Sequence, residues 1–243
     1  FSKLLLSGIS PSALAGLLYL GSGIGLSIAM AARGRRRKEA GVTWRDAPWL
    51  FGAICFGGVA GPLLLLIGLN GTPASSASLL LNLEGVFTAV LAWSAFRENA
   101  DRRIVLGMCS IVAGGFLLSW RPPFDLSLTT GSLAIVGACF CWGMDNNLTQ
   151  RIASRDPMQV AAIKGLSAGC VNLAIAFALG KADFTPSLAA SAAAVGFLGY
   201  GVSLALFVRA LRDVGTARTG AYFSVAPFAG AALSLPMLGE AVG

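Results

Sequence analysis

The sequence predicts an all-α integral membrane fold, a polytopic bundle of helices with inverted-topology repeats. Three observations predict it. Of 243 residues, 56% are hydrophobic and 12% are charged, which is roughly half the charged share of an ordinary soluble domain. The apolar stretches are long and nearly free of charge, and each reaches the roughly 20 residues that a helix needs to cross ~30 Å of hydrocarbon. The basic residues gather in alternate connections between those stretches. Alternation over ten residues is absent, and only helices or closed barrels satisfy a backbone in lipid, so helices are expected rather than strands.

Eight spans are expected, at roughly residues 11–32, 48–69, 74–96, 104–120, 131–150, 159–180, 188–210 and 219–238. The first, third, fifth and seventh connections, with their helix edges, hold Arg33, Arg35, Arg36, Arg37, Lys38, Arg45, Arg97, Arg102, Arg103, Arg151, Arg155, Arg209, Arg212 and Arg218, which is 14 of the 18 Lys and Arg. The other connections hold Arg121 and Lys181, and Lys3 precedes the first span. The positive-inside rule puts the odd connections in the cytoplasm. The chain is therefore expected in a cytoplasmic membrane, crossing it several times. The net charge of +7 does not point to nucleic acid, because it sits in short loops. The run from Arg33 to Lys38 reads as a topology anchor that touches anionic lipid headgroups.

Five cysteines, Cys55, Cys109, Cys139, Cys141 and Cys170, all fall inside apolar segments. Buried free cysteine behaves as a small hydrophobe, so neither disulfides nor a metal site are expected, and no cofactor. Histidine is absent from the sequence, which removes the commonest metal ligand and any histidine proton relay. The chain opens on Phe1-Ser2-Lys3 and stops at Gly243 just after an apolar run, with no signal-peptide pattern. It reads as a fragment that lacks material at both ends.

Internal repetition is visible. Gly71-Thr72 introduces the third span and Gly215-Thr216 the eighth. Leu83-Glu84-Gly85-Val86-Phe87 parallels Val225-Ala226-Pro227-Phe228, and the two spans close on Glu98 and Glu240. Gly85 to Pro227 and Glu98 to Glu240 are both 142 residues, while the span entries match at 144. Pro11 parallels Pro157 and Gly23 parallels Gly169, both 146 apart. By the loop charges the third span enters from outside and the eighth from the cytoplasm, so corresponding spans run in opposite directions. Such inverted repeats recur in secondary transporters, where one sequence packs in two non-equivalent ways.

These motifs resemble the drug/metabolite transporter superfamily, EamA-type branch. The resemblance rests on Gly71-Thr72-Pro73-Ala74-Ser75 running into Asn82-Leu83-Glu84-Gly85-Val86-Phe87-Thr88-Ala89, on Val225-Ala226-Pro227-Phe228 closing with Leu238-Gly239-Glu240, and on Cys141-Trp142-Gly143-Met144-Asp145-Asn146-Asn147-Leu148-Thr149. It implies ten spans in two five-helix inverted repeats with cytoplasmic termini. The eight spans here are then the second to ninth. Residues 1–127 form a first repeat without its first helix, and 128–243 a second repeat without its last. The sequence departs from the family in two places: Gly85 stands where proline is usual, and Arg97 where glycine is common.

Ionisable groups at membrane depth are costly and tend to be functional. Three qualify: Glu84, Asp145 and Lys164. On a helical projection Leu79, Leu83, Val86 and Val90 share a lipid-facing arc. Asn82, Gly85 and Ala89 lie opposite, flanked by Glu84 and Thr88. Glu84 has two readings, a cavity-facing carboxylate or one that caps a neighbouring helix. Trp142, Asp145, Asn146 and Thr149 share a face at i, i+3, i+4, i+7, which suits either a small amphipathic substrate or helix packing. Asp145 and Lys164 stand nine residues before and ten after Ser154, at similar depth on antiparallel spans, so they are expected to pair. Tyr200 and Tyr222 complete the substrate-binding candidates, with interfacial anchoring as the alternative. Gly21–Gly25, Gly57–Gly61 and Gly165–Gly169 read G-x-x-x-G, which permits close helix contact. Pro62, Pro227 and Pro236 free carbonyls for polar contacts.

The function expected is a secondary carrier of small metabolites or amino-acid-like solutes, working by alternating access. No G-x-x-x-x-G-K-[ST] loop is present, so ATP hydrolysis is not expected. The rivals are a membrane-embedded lipid-modifying enzyme, which calls for clustered acid–base groups at a membrane face, and a channel, which calls for repeated pore-lining rings. The expected partners are a small-molecule substrate, membrane lipid and a homodimer partner, without nucleic acid.

Overall fold

A computed structural model describes residues 9–34, 39–69, 72, 77, 80–99, 101–119 and 130–225. Among the described residues the chain is helical and contains no strand. In chain order the helices are α1 (Pro11–Arg33), α2 (Ala47–Ala53), α3 (Gly61–Leu69), α4 (Leu83–Ser94), α5 (Arg102–Ser119), α6 (Thr130–Arg151), α7 (Pro157–Ala178), α8 (Pro186–Val195), α9 (Ser203–Val214) and α10 (Thr216–Phe223). A π-helical segment, Ile54–Ala60, joins α2 to α3, and another, Gly196–Val202, joins α8 to α9. Among the described residues, four helical stretches are long and apolar enough to cross a membrane: Pro11–Arg33, Trp44–Leu69, Pro157–Ala178 and Pro186–Val214. They coincide with four of the eight expected spans. The expected spans 104–120 and 131–150 are helices, α5 and α6, whereas the eighth runs largely outside the described residues.

The chain divides into two compact units. One comprises residues 1–62 and 144–213, the other 63–143 and 214–243. In the first unit, three helices begin on the same local signal, a polar cap before proline. Ser10, Asp156 and Thr185 accept backbone N–H groups of the first turns, and Pro11, Pro157 and Pro186 follow them. Proline fits there because the first N–H has no helical partner to lose. α1 and α7 cross antiparallel on glycine. A β-carbon at Gly23 would fall on the backbone nitrogen of Leu166, and one at Gly169 on that of Leu20. Gly165 lies against the Tyr19 carbonyl and Gly23. The G-x-x-x-G pattern thus does what was expected of it, with Gly21 against Ala193 and Gly25 against the Phe197 ring. Apolar clusters fill the remainder, Leu14, Leu17, Leu18 and Ala192 near one end and Leu50, Ile152, Val160, Val208 and Leu211 near the other.

The second unit packs on small residues as well. Gly143 lies against Phe87 and the Thr88 backbone, Gly220 against the Thr88 side chain, and Gly85 against Ser224. On α4, Gly85, Thr88 and Ala89 are buried and Val90 is exposed as expected, whereas Asn82 is half-buried and Leu83 and Val86, expected on the lipid arc, pack half-buried against apolar clusters. α4 ends in a tight turn. The Glu98 N–H donates to the Ala92 carbonyl at 2.8 Å, and Arg97 adopts φ 58°. This is the glycine-favouring closure of a helix C-terminus, held here by arginine. The cysteines divide. All five are free; Cys139 and Cys141 are buried and Cys55 is half-buried, but Cys109 and Cys170 are exposed. Cys109 and Cys170 lie on outward faces of α5 and α7.

Candidate functional site: a buried ion pair

α6 carries Asp145, Asn146 and Thr149 within one helical turn, and α7 carries Lys164. The loop 152–156 between them is short. Lys164 Nζ donates to Asp145 Oδ1 at 2.6 Å and to Thr149 Oγ1 at 2.9 Å. Thr149 Oγ1 in turn donates to Asp145 Oδ1 at 3.0 Å. The side chains of Lys164 and Asp145 are only 9% and 13% exposed, so water does little of the work. A charge in such a place is tolerated when it is paired and hydrogen-bonded. The expected pair is present. Its third member, Thr149, anchors both charges at once.

The other face of the carboxylate meets the first π-helical segment. Asp145 Oδ2 occupies the space that a β-carbon on Gly57 would take. One residue on, the Gly58 carbonyl accepts from Asn172 Nδ2 at 2.8 Å. Pro62 follows this segment and has no N–H to give the turn before it; in the π-helical register, where the Gly61 N–H donates five residues back to the Phe56 carbonyl, the carbonyl opposite position 62 is that of Gly57 rather than Gly58. Pro227 and Pro236 lie outside the described residues.

Of the remaining sequence candidates, Asn146 is buried in the same unit as the pair. Tyr200 lies on the second π-helical segment, 41% exposed, with its ring edge-on to Tyr19 at 5.7 Å between centroids. Glu84, Asn82, Trp142 and Tyr222 belong to the other unit. Glu84 is half-buried in the first turn of α4, Asn82 just precedes that helix, and Trp142 is half-buried on α6. Tyr222 is 72% exposed, so nothing in its own unit encloses it. Sequence reasoning missed Asn172, Gly57 and the fully buried Asn147. Only Asn172 had a readable signal, an amide in an apolar helix opposite a span that a proline interrupts. Among the described residues no cluster of three or more His, Cys, Asp or Glu is placed to hold a metal ion.

Comparison with known proteins supplies the family. The EamA-like transporter family matches the chain over residues 1–120 and 129–243. The chain belongs to that family. It is similar to an uncharacterized transporter of Methanothermobacter thermautotrophicus, 28% identical, with 98% of this chain and 74% of the relative covered. It also resembles a protein of known crystal structure at TM-score 0.83 and 17% identity, over 99% of this chain and 83% of that one. At that identity the likeness speaks for the fold alone. Membership of the family, together with the apolar helices, makes the chain a membrane transporter. The ion pair is accordingly a buried charge centre within a membrane transporter.

Proposed function

We propose that this EamA-like transporter is a secondary carrier that moves small metabolites or amino-acid-like solutes across a cytoplasmic membrane by alternating access. We further propose that Asp145 and Lys164, with Asn146 beside them, are its binding element. The observation that carries the reading is the buried, threonine-bridged pair at 2.6 Å. An isolated charge at the centre of a membrane helix costs about 2.5–3.5 kcal/mol on insertion scales. A packing role alone is met more cheaply by apolar residues of the same volume, so a retained pair calls for a ligand that exchanges with it. A solute bearing an acidic and a basic group can replace both partners without leaving either charge bare.

The proposed architecture is eight spans in two halves, residues 1–127 and 128–243, related by an inverted repeat. Two features of the first unit support it. The glycine contacts of α1 and α7 are reciprocal at the 146-residue interval, since Gly23 meets Leu166 as Gly169 meets Leu20. The two π-helical segments have the same length and begin 142 residues apart, at Ile54 and Gly196, which is the interval of the Glu98 and Glu240 motif. Reciprocal contacts of this kind are what a local two-fold axis produces.

The test is a charge cycle in proteoliposomes. Asp145→Asn and Lys164→Met should each abolish most counterflow of a substrate found by thermal-shift screening, and each should cost roughly 3 kcal/mol of stability. The double variant should regain part of the stability but not the counterflow. Normal counterflow by the double variant would remove the pair from the binding site. A voltage-dependent current in place of saturable flux would favour a channel, and turnover of a lipid would favour an enzyme.

A further inference from the structure

The backbone beside the ion pair is unusual. A π-helical turn has poorer hydrogen-bond geometry than an α-helical one, and it recurs where function needs an irregular helix. The Gly61 N–H donates five residues back to the Phe56 carbonyl, the π-helical step, and Asn172 of α7 donates to the Gly58 carbonyl. Gly58 itself lies against the Ala168 methyl. α7 therefore fixes the segment. The segment in turn fixes Asp145, because only a residue without a side chain at position 57 leaves room for Oδ2, while Oδ1 faces Lys164 and Thr149.

The second π-helical segment provides an internal comparison. Gly199 stands 142 residues after Gly57, yet a β-carbon on it would meet nothing within 4 Å. Leu204 stands where the first segment is followed by Pro62. The two segments share shape and length, but one of them bears on a charge.

We propose that the π-helical segment Ile54–Ala60 is the positioning element of the Asp145–Lys164 pair, with Gly57 and Asn172 as its positioning residues. In the register seen here, Gly57 holds the carboxylate on Lys164. Slipping the segment by one residue toward α-helical register turns it by about 100°, moves Gly57 off the carboxylate and releases the pair. The proposal rests on the pair being the binding element. It gives the carrier a local two-state element whose balance a ligand at the pair shifts.

The experiment is a thermal cycle on the full-length protein in lipid nanodiscs. With Gly57 intact, the melting-temperature losses of Asp145→Asn and Lys164→Met should be non-additive, the double variant losing less than the sum. In a Gly57→Ala background they should become additive, whereas Gly199→Ala should leave the non-additivity as it is. Simple destabilisation by an added methyl group would lower every melting temperature and leave the non-additivity in place, and that result overturns the proposal. Should Gly57→Ala not fold, hydrogen exchange on Lys164→Met decides. Amides of 54–60 should exchange at least ~tenfold faster than in the unaltered protein while those of 196–202 do not change. Equal changes in both segments, or none in either, overturn the proposal. Loss of the binding reading shows separately, as normal counterflow by Asp145→Asn/Lys164→Met, because neither the thermal cycle nor the exchange measurement depends on transport.

Discussion

Lys164 and Asp145 are each expensive where they stand, and the sequence exposes both for that reason. Their depth follows from counting residues out from a short loop, and opposite charges at one depth on adjacent antiparallel helices have a cheap solution. The same counting says nothing about Gly57. In a chain with 31 glycines no pattern marks the one that makes room for a carboxylate, and only coordinates reveal it. Glu84 poses the converse problem. Its position in the first turn of α4 lets backbone N–H groups favour its negative charge, so a helix-terminal role and a transport role both fit. They separate on the isosteric variant. Glu84→Gln keeps the hydrogen-bond acceptor and removes the charge. We expect counterflow to fall by ~tenfold or more while the yield of folded protein changes little, a loss of about 1.4 kcal/mol or more in the transport step. Normal transport by Glu84→Gln across pH 5–8 would make Glu84 a purely structural carboxylate.

Among the elements, the end of α4 joins two sequence observations that looked unrelated. Arg97 occupies a position where the family often has glycine, and the span closes on Glu98. The structure puts both into one turn. Arg97 takes the left-handed conformation, which costs an L-residue with a side chain roughly 1–2 kcal/mol. The turn then aims Glu98 at the start of α10, where its carboxylate accepts the Thr216 N–H at 3.0 Å and the Ala217 N–H at 3.2 Å. Arg97→Gly should therefore raise the melting temperature, by the equivalent of about 0.5–1 kcal/mol once the added backbone freedom of glycine is subtracted. Glu98→Ala should lower it by the equivalent of about 1 kcal/mol, as loss of a helix cap does. A neutral or destabilising Arg97→Gly would mean that the arginine side chain contributes more than its backbone costs. The elements themselves were legible to different degrees. Starts such as Ser10-Pro11 and Asp156-Pro157 are written in the sequence, and four apolar spans agree with the helices within a few residues. The π-helical segments were not, because Ile54–Ala60 and Gly196–Val202 are apolar or glycine almost all round, so no polar face exists whose period would show the extra residue per turn.

At the scale of the molecule, the proposed inverted repeat rests on how the connections are oriented, and the contacts inside each unit bear on that. In the first unit the connections expected to be cytoplasmic meet one another. Arg212 pairs with Glu39 at 3.2 Å, Arg155 with Asp46 at 2.9 Å, and the Asp156 N–H donates to the Ala40 carbonyl. In the second unit Arg218 pairs with Asp101 at 3.2 Å. The backbone N–H of Arg103 and that guanidinium hold the Asp101 carboxyl below its ordinary range. The first, fifth and seventh connections are thus tied together in one unit, and the third and seventh in the other. Lys181, by contrast, lies in an even connection, where its carbonyl accepts from Ser10. Charges that share an end of a unit must share a side of the membrane, so the positive-inside rule orients them as a block. The experiment is single-cysteine labelling in sealed vesicles of known sidedness. It uses a cysteine-free background, so that only the introduced thiols react. Cysteines at Ser154 and Val214 should react only with a reagent on the cytoplasmic side, and cysteines at Thr72 and Asp183 only from the opposite side. Reaction of Ser154→Cys and Asp183→Cys from one side would put both ends of α7 on that side and overturn both the proposed antiparallel sense of corresponding spans and the proposed inverted repeat. Reaction of all four from the sides opposite to those expected would keep the repeat and reverse the protein in the membrane, leaving the mechanism intact with the positive-inside assignment wrong.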